Sequence, residues 1–471
     1  MELQPGQPNA DLAAALNELG WSPKMLARRL NREFGTGTTA ASAPYHWRDK
    51  GMVPRAPLPA LTSHLLSQEL GRVVSAAELW QGKAGDGAPL LAAGCGLDRP
   101  WTMPDLEEIV DDWVRGGLLD RRRFLAISGA GLTAIVANYL DGTAGLGTMV
   151  ATSSTRLIDP LVDQVEQNLP LLQALDDMHG GGHHLSYVSA QFRAIGLLLS
   201  GGGHSAPSHK RLLQALAELG QLAGWMAFDA AEHGLAQRYF VTALRAAHQV
   251  DDRPLCAHIL ADLAFQAASR EHATDAIPLG EAAQRSAQHA PAAVKASVLS
   301  RLAYAYASGG EEDSFRRTAD EARETITLAN SSDAPRWMYF LTENHLECQA
   351  GYAMIQLGRL TSSNGTTSSK RLLGDGASLL ASGEHAAQLG GASDRRALFE
   401  GAWLALGHST RGELEQACAI GELAASRLAS VRSPRSVSVL KELSRDLRRR
   451  QRNPHVATFL PKLDSALSIS T

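Results

Sequence analysis

At 471 residues the chain is too long for a single hydrophobic core, so at least two folding units are expected. A composition of 44% hydrophobic and 20% charged residues excludes wholesale disorder, and no run of about 18 residues avoids polar side chains, which excludes a spanning helix. The formal net charge of only −4 excludes attraction of nucleic acid by the molecule's overall field, so such a contact needs a local basic patch.

Cys95, Cys256, Cys348 and Cys418 lie far apart without a CxxC pair, as suits a reducing compartment, and MELQPGQPNADL has neither a basic nor an apolar leader segment. A cytoplasmic protein is expected.

The first helix follows Pro8-Asn9, with Leu12, Leu16 and Leu19 at helical spacing and Gly20 as its stop. Ser22 then caps a second helix with Pro23 at its first position; Met25, Leu26 and Leu30 form its apolar side, and Lys24, Arg28 and Arg32 point elsewhere. After a turn at 35–43, Pro44, Tyr45, His46, Trp47, Arg48, Asp49 and Lys50 make a short third helix ended by Gly51 and blocked by Pro54. Trp47 should face the core, leaving polar tips for base edges in a major groove. Residues 21–56 hold seven Lys or Arg against Glu33 and Asp49, a local balance of +5.

LARRLN, and then YHWRDKGMVPRAPLPALTSHLLSQELGRVVSAAELW, resembles the head of actinobacterial helix-turn-helix regulators that carry tetratricopeptide repeats, including negative regulators of sporulation and antibiotic production. The most specific part is the series Trp47, Arg48, Gly51, Pro54, Arg55 and Pro57. The resemblance implies that Ser42, His46, Arg48 and Lys50 sit on a recognition helix and that Arg55 lies on the backbone side. The turn at 35–43 is longer than such heads usually carry, which makes Thr38, Thr39 and Ser42 its candidates for reaching DNA. With Lys24 and Arg28 as phosphate contacts, the candidate DNA-binding set is Lys24, Arg28, Thr39, Ser42, His46, Arg48, Lys50 and Arg55.

The Gly- and Ala-rich stretch at 83–100 reads as a flexible tether, and residues 101–113 as an acidic helix with Leu106, Ile109, Val110 and Trp113 on one side. Arg121, Arg122, Arg123, Phe124 and Leu125 resemble a twin-arginine signal, but so far inside the chain they read as the lead-in to a buried helix.

Pairs of a small residue with a large one recur further on: Ala227-Phe228, Ala264-Phe265, Ala303-Tyr304, Ala353-Met354 and Ala402-Trp403, at intervals of 37, 39, 50 and 49. The first two fit helical hairpins of roughly 34 residues, and the later ones require insertions, one of them the TSSNGTTSS loop at 361–369. Stacked hairpins would form a curved array whose concave side is a natural binding surface. Residues 432–452, with eight basic residues against Glu442 and Asp446, read as a polar capping helix. Asp176, Asp177, His179, His183 and His184 surround three glycines; this stretch reads as a flexible interdomain loop instead of a metal site.

The expected architecture is all-α: a helix-turn-helix domain at 1–82, a linker with connecting helices at 83–150, and a tetratricopeptide-like α-solenoid at 151–471. The expected function is a DNA-binding transcriptional repressor of differentiation or secondary metabolism, a homodimer on double-stranded DNA, whose repeats sense a peptide or small molecule. The alternative is a repeat scaffold that binds protein partners without reading DNA. No HExxH, Walker loop or nucleophile elbow appears, so no catalysis, cofactor, metal or membrane contact is expected.

Overall fold

A computed structural model of the chain describes residues 8–34, 38–54, 58–70, 74, 79–80, 101–115, 132, 135, 139, 159–202, 204–330, 333–362, 367–388 and 393–469. Every regular element among them is a helix, and the buried apolar side chains fall into two separate cores.

The smaller core belongs to α1 (Ala10–Glu18), α2 (Pro23–Phe34), α3 (Ala43–Lys50) and α4 (Leu58–Leu70). Asn9 starts α1 by accepting the Leu12 N–H at 2.8 Å, and its amide donates to the Leu79 carbonyl at 2.8 Å. Gly51, at φ 58°, ends α3 in the left-handed conformation that a Cβ disfavours. Leu12, Leu16, Leu26, Leu30 and Trp47 meet Trp80, whose ring lies edge-on to Trp47 at 6.0 Å and whose Nε1 donates to the Pro59 carbonyl at 3.1 Å.

The larger core runs from Trp101 to Leu467. It includes α5 (Met103–Arg115), α6 (Asp159–His179) and α7 (Gly181–Gly201), followed by α8 (Ala206–Asp229), α9 (His233–Gln249), α10 (Arg253–Ser269), α11 (Ala273–Ser286), α12 (Ala292–Ser308), α13 (Glu312–Thr327), α14 (Glu343–Thr361), α15 (Thr367–Gln388), α16 (Asp394–Arg411), α17 (Leu414–Ser426), α18 (Pro434–Leu447) and α19 (Pro454–Ile469). From α8 to α17 consecutive helices pack pairwise as hairpins, and the leading helices α10, α12, α14 and α16 each touch the next.

One backbone device closes five of the turns. One or two residues past each helix the backbone is left-handed (Ala231, Asp251, Glu271, Gly310 and Gly412, φ 56–84°), and the following N–H reaches back five residues: Glu232 to Ala227, Asp252 to Ala247, His272 to Ala267, Glu311 to Tyr306 and Glu413 to His408. Three of the five positions are not glycine, so their backbone is strained by roughly 1–2 kcal/mol each.

The recurring aromatic positions of the sequence become a chain of rings. Phe228, Phe265, Tyr304, Tyr352 and Trp403 follow one another at centroid distances of 6.0, 4.7, 5.5 and 6.3 Å. The fourth member is Tyr352 and not Met354, because the insertion ahead of α14 shifts the residue that meets Tyr304.

Several expectations are corrected. The glycine-rich stretch at 176–184 is no loop: α6 and α7 occupy it, broken only at Gly180 (φ 75°), and a Cβ on Gly181 would lie 2.1 Å from the Met226 carbonyl oxygen. The glycines permit a close helix crossing. The array also returns on itself: the Arg432 N–H donates to the His179 carbonyl at 3.0 Å and the Gly182 N–H to the Arg432 carbonyl at 3.2 Å. Residues 432–452 do not form an outer cap, because α19 packs over α17 and α18. Trp113 on α5 stacks on Tyr239 at 4.3 Å and donates to Thr242 at 3.1 Å, which makes α5 part of the array. Arg121, Arg122 and Arg123, and the tether at 83–100, lie outside the described residues.

Candidate nucleic-acid interface

At about 100° per residue, Pro44 and Trp47 define the buried side of α3, and Ser42, Tyr45, His46 and Asp49 lie opposite, all exposed. Lys50 is exposed at one edge of that face. Trp47, buried to 4% exposure, anchors the helix so that its polar side is turned outward.

Arg48 lies on α3, as expected, but at the border of its exposed side. It follows Pro44 by one turn, borders the buried side, lies over the Tyr45 ring at 5.7 Å and pairs with Asp49 at 2.7 Å. The hydrogen bond from Arg48 holds the Asp49 carboxyl below its usual range. Tyr45 and Asp49 therefore belong to the exposed face, and counting 100° steps from Trp47 would have found them; the sequence reading followed charge.

Thr39 is a correction. Its side chain is buried to 7% exposure, and Asn31 clamps its backbone by accepting the Thr39 N–H at 2.9 Å and donating to its carbonyl at 2.8 Å. Thr39 is thereby pinned to α2, and its buried hydroxyl is withdrawn from any ligand. Ser42 occupies the start of α3 without capping it, so its hydroxyl is uncommitted there. Arg55 lies outside the described residues.

The basic residues divide by partner. Arg29 pairs with Glu69 at 3.5 Å, Arg32 with Glu271 and Arg48 with Asp49, while Lys24, Arg28 and Lys50 are exposed and form no ion pair among the described residues.

The expected loose tether is modified by a contact at the far end of α2. Buried Glu33 receives Arg270 at 2.7 Å and His272 at 2.9 Å, and Arg270 also donates to the Glu33 carbonyl at 2.7 Å. Burial pushes the Glu33 carboxyl up, but the hydrogen bond from His272 and the Arg270 guanidinium outweigh it and hold the group at about 2. Behind this seam, burial and Arg270 hold His233 down at about 3. The head thus docks on the strained turn at Glu271 through the end of α2, and the outer face of α3 stays exposed.

Comparison with known proteins is sparse. Residues 12–80 match the family described as the SP15 N-terminal domain. The match spans the smaller core from Leu12 to Trp80 and none of the helical array. No curated protein and no solved structure matches the chain. Among the described residues no helix is long and apolar enough to cross a membrane, and no group of three His, Cys, Asp or Glu residues is placed to hold a metal ion.

Proposed function

We propose that the protein is a DNA-binding transcriptional regulator, a cytoplasmic repressor of differentiation or secondary metabolism. In this proposal α2 and α3 act as a helix-turn-helix head, and the array is a tetratricopeptide-like solenoid for sensing and dimerisation. The observation that carries it is the exposed polar face of α3, anchored by Trp47, on a head whose exposed Lys24, Arg28 and Lys50 form no ion pair among the described residues and which meets the array through Glu33 at the end of α2. A short helix fits a major groove; its polar tips read base edges while nearby cations meet phosphates. Ser42, Tyr45 and His46 are assigned to bases, Asp49 to a cytosine amino group once Arg48 turns to a phosphate, and Lys24 and Arg28 to the backbone. One such helix reads only a few base pairs, so a homodimer on paired half-sites is expected.

The test is selection of full-length protein against pooled genomic fragments, followed by a salt titration of the enriched site. Enrichment of one motif with a log-log salt slope of several counterions supports the proposal. His46→Ala should then weaken the selected site alone by about 1–3 kcal/mol, whereas Arg28→Ala should weaken every sequence equally and lower the slope by about 1. No enrichment at about 50 mM salt would replace the regulator with a scaffold for protein partners.

A further inference from the structure

Closure of the array leaves a narrow cavity inside it, about 50 Å³ and partly open to solvent. One wall comes from the stretch between α13 and α14, which turns inward through a short helical turn, Arg336–Met338. It is tied down by Arg336 to Glu218 at 2.8 Å and by stacking of Trp337 on the buried His258 at 4.9 Å. Phe340 from this stretch lines the cavity together with Trp225, Tyr352 and Phe399.

Four arginines also line the cavity, and they are not equivalent. Arg301 pairs with Asp262 at 2.9 Å, Arg395 with Asp176 and Asp177 at 3.2 and 3.0 Å, and Arg435 with Asp229 at 3.1 Å. None of these four aspartates lines the cavity, so the carboxylates stand behind and the guanidiniums in front. Arg396 has no carboxylate within ion-pair distance among the described residues; it donates only to the Phe340 carbonyl at 3.2 Å and to Ser393 at 3.1 Å. Arg301 and Arg395 are more than nine-tenths buried, yet their Nε–H groups find no acceptor among the described residues. Burial pushes the Asp176 carboxyl up to about 7 against the pull of Arg395, so near neutral pH part of the compensating negative charge is lost.

Orphaned buried donors are costly, and an acceptor group from outside relieves them. Flat faces favour a flat partner: the guanidinium carbons of Arg301, Arg395 and Arg435 lie 5.7, 5.9 and 5.3 Å from the Trp225 ring centroid.

We propose that this cavity binds a small molecule with a planar apolar body and one acidic group, the acid held by Arg396 with the Nε–H groups of Arg301 and Arg395, and the body held between Phe340 and the Trp225, Tyr352 and Phe399 rings. Glu400, which approaches His345 at 3.7 Å on the cavity wall, rejects a second acid on the far side of the ring. The site is independent of the DNA proposal, because nothing in it involves the head.

The experiment titrates full-length protein, without DNA, with 8-anilinonaphthalene-1-sulfonate, an aromatic anion that fluoresces in apolar surroundings, and with neutral N-phenyl-1-naphthylamine. One site per chain is expected, with the anion at least about tenfold tighter than the neutral ring, since a charged hydrogen bond distinguishes them. Arg396→Ala should abolish that preference, lowering anion affinity about tenfold while leaving the neutral ring's affinity and the melting temperature unchanged. If that variant does not fold, Arg396→Gln, which retains a donor for the Phe340 carbonyl, is measured in its place with the same expectation. Displacement of the probe by benzoate or by phenyl phosphate would identify the acid. Equal binding of the two dyes, retention of the preference without Arg396, or displacement by neither acid would overturn the proposal. Since no DNA is present, such a failure leaves the regulator proposal standing, and failure of the DNA selection leaves the cavity standing.

Discussion

The head and the array treat charge in opposite ways. In the head, Arg29 with Glu69 and Arg48 with Asp49 pair at the surface, where such contacts contribute about 0–1 kcal/mol, and Lys24, Arg28 and Lys50 pair with no carboxylate among the described residues. In the array, Arg301, Arg395 and Arg435 are drawn inside with the fully buried Asp262, Asp176 and Asp229. The difference separates two uses of arginine. Charges outside are available to a polyanion at little risk to the fold; charges inside lock distant helices together and shape a cavity.

The largest effect should come from breaking an interior pair. Arg301→Ala leaves Asp262 buried without its cation and should cost about 3–5 kcal/mol in urea unfolding; a loss below about 1 kcal/mol would remove the contrast between the regions.

Acid should act next, at the seam between them. His233 is held at about 3 against an ordinary 6.5, so the unfolded chain takes up a proton that the native one refuses, and stability falls as pH drops below about 6.5. Between pH 7 and 5 this amounts to about 2 kcal/mol, which His233→Gln should remove from the shift in urea midpoint. Glu33, held at about 2 against 4.5, contributes stability present above about 4.5 and lost as pH falls toward 2. An unchanged pH 7 to 5 shift in His233→Gln would show that the seam is not the acid-sensitive element.

Packing comes third. Gly181→Ala pushes a Cβ onto the Met226 carbonyl and should cost about 1–3 kcal/mol by calorimetry. Normal stability would mean that α7 and α8 can separate without loss.

Relief of strain should work the other way. Ala231→Gly, at φ 60°, should raise stability by about 0.5–1 kcal/mol in thermal unfolding, and a loss would mean that its methyl contributes more than its backbone costs. Smallest of all, Arg28→Ala should change the stability of the fold by no more than about 0.5 kcal/mol, the complement of its expected effect on DNA affinity. A clearly larger loss would place Arg28 in the structure of the head.

Much of the head was legible because its signals are local. Asn9, Ser22, Gly20 and Gly51 mark helix ends within a few residues, and Trp47 marks the inward side of α3 by its size alone. Thr39 was misplaced, and the border position of Arg48 was missed, because charge and polarity were read without asking which side of the helix, or which clamp, each residue meets. The strained turns at Ala231, Asp251 and Glu271 were not legible at all, since nothing in those side chains announces a positive φ.

By itself the sequence determined an all-helical chain, the short basic head and the recurring aromatic positions, because helix periodicity, capping and turn chemistry act over a few residues and leave their mark there. Only the tertiary structure decided that the array closes, that Gly181 is a crossing and not a hinge, and that Glu33 seats the head on Arg270. Those outcomes rest on pairs such as Asp176 with Arg395 and Asp229 with Arg435, whose members are some two hundred residues apart. Their meeting depends on the accumulated curvature of every hairpin between them, which no local pattern records.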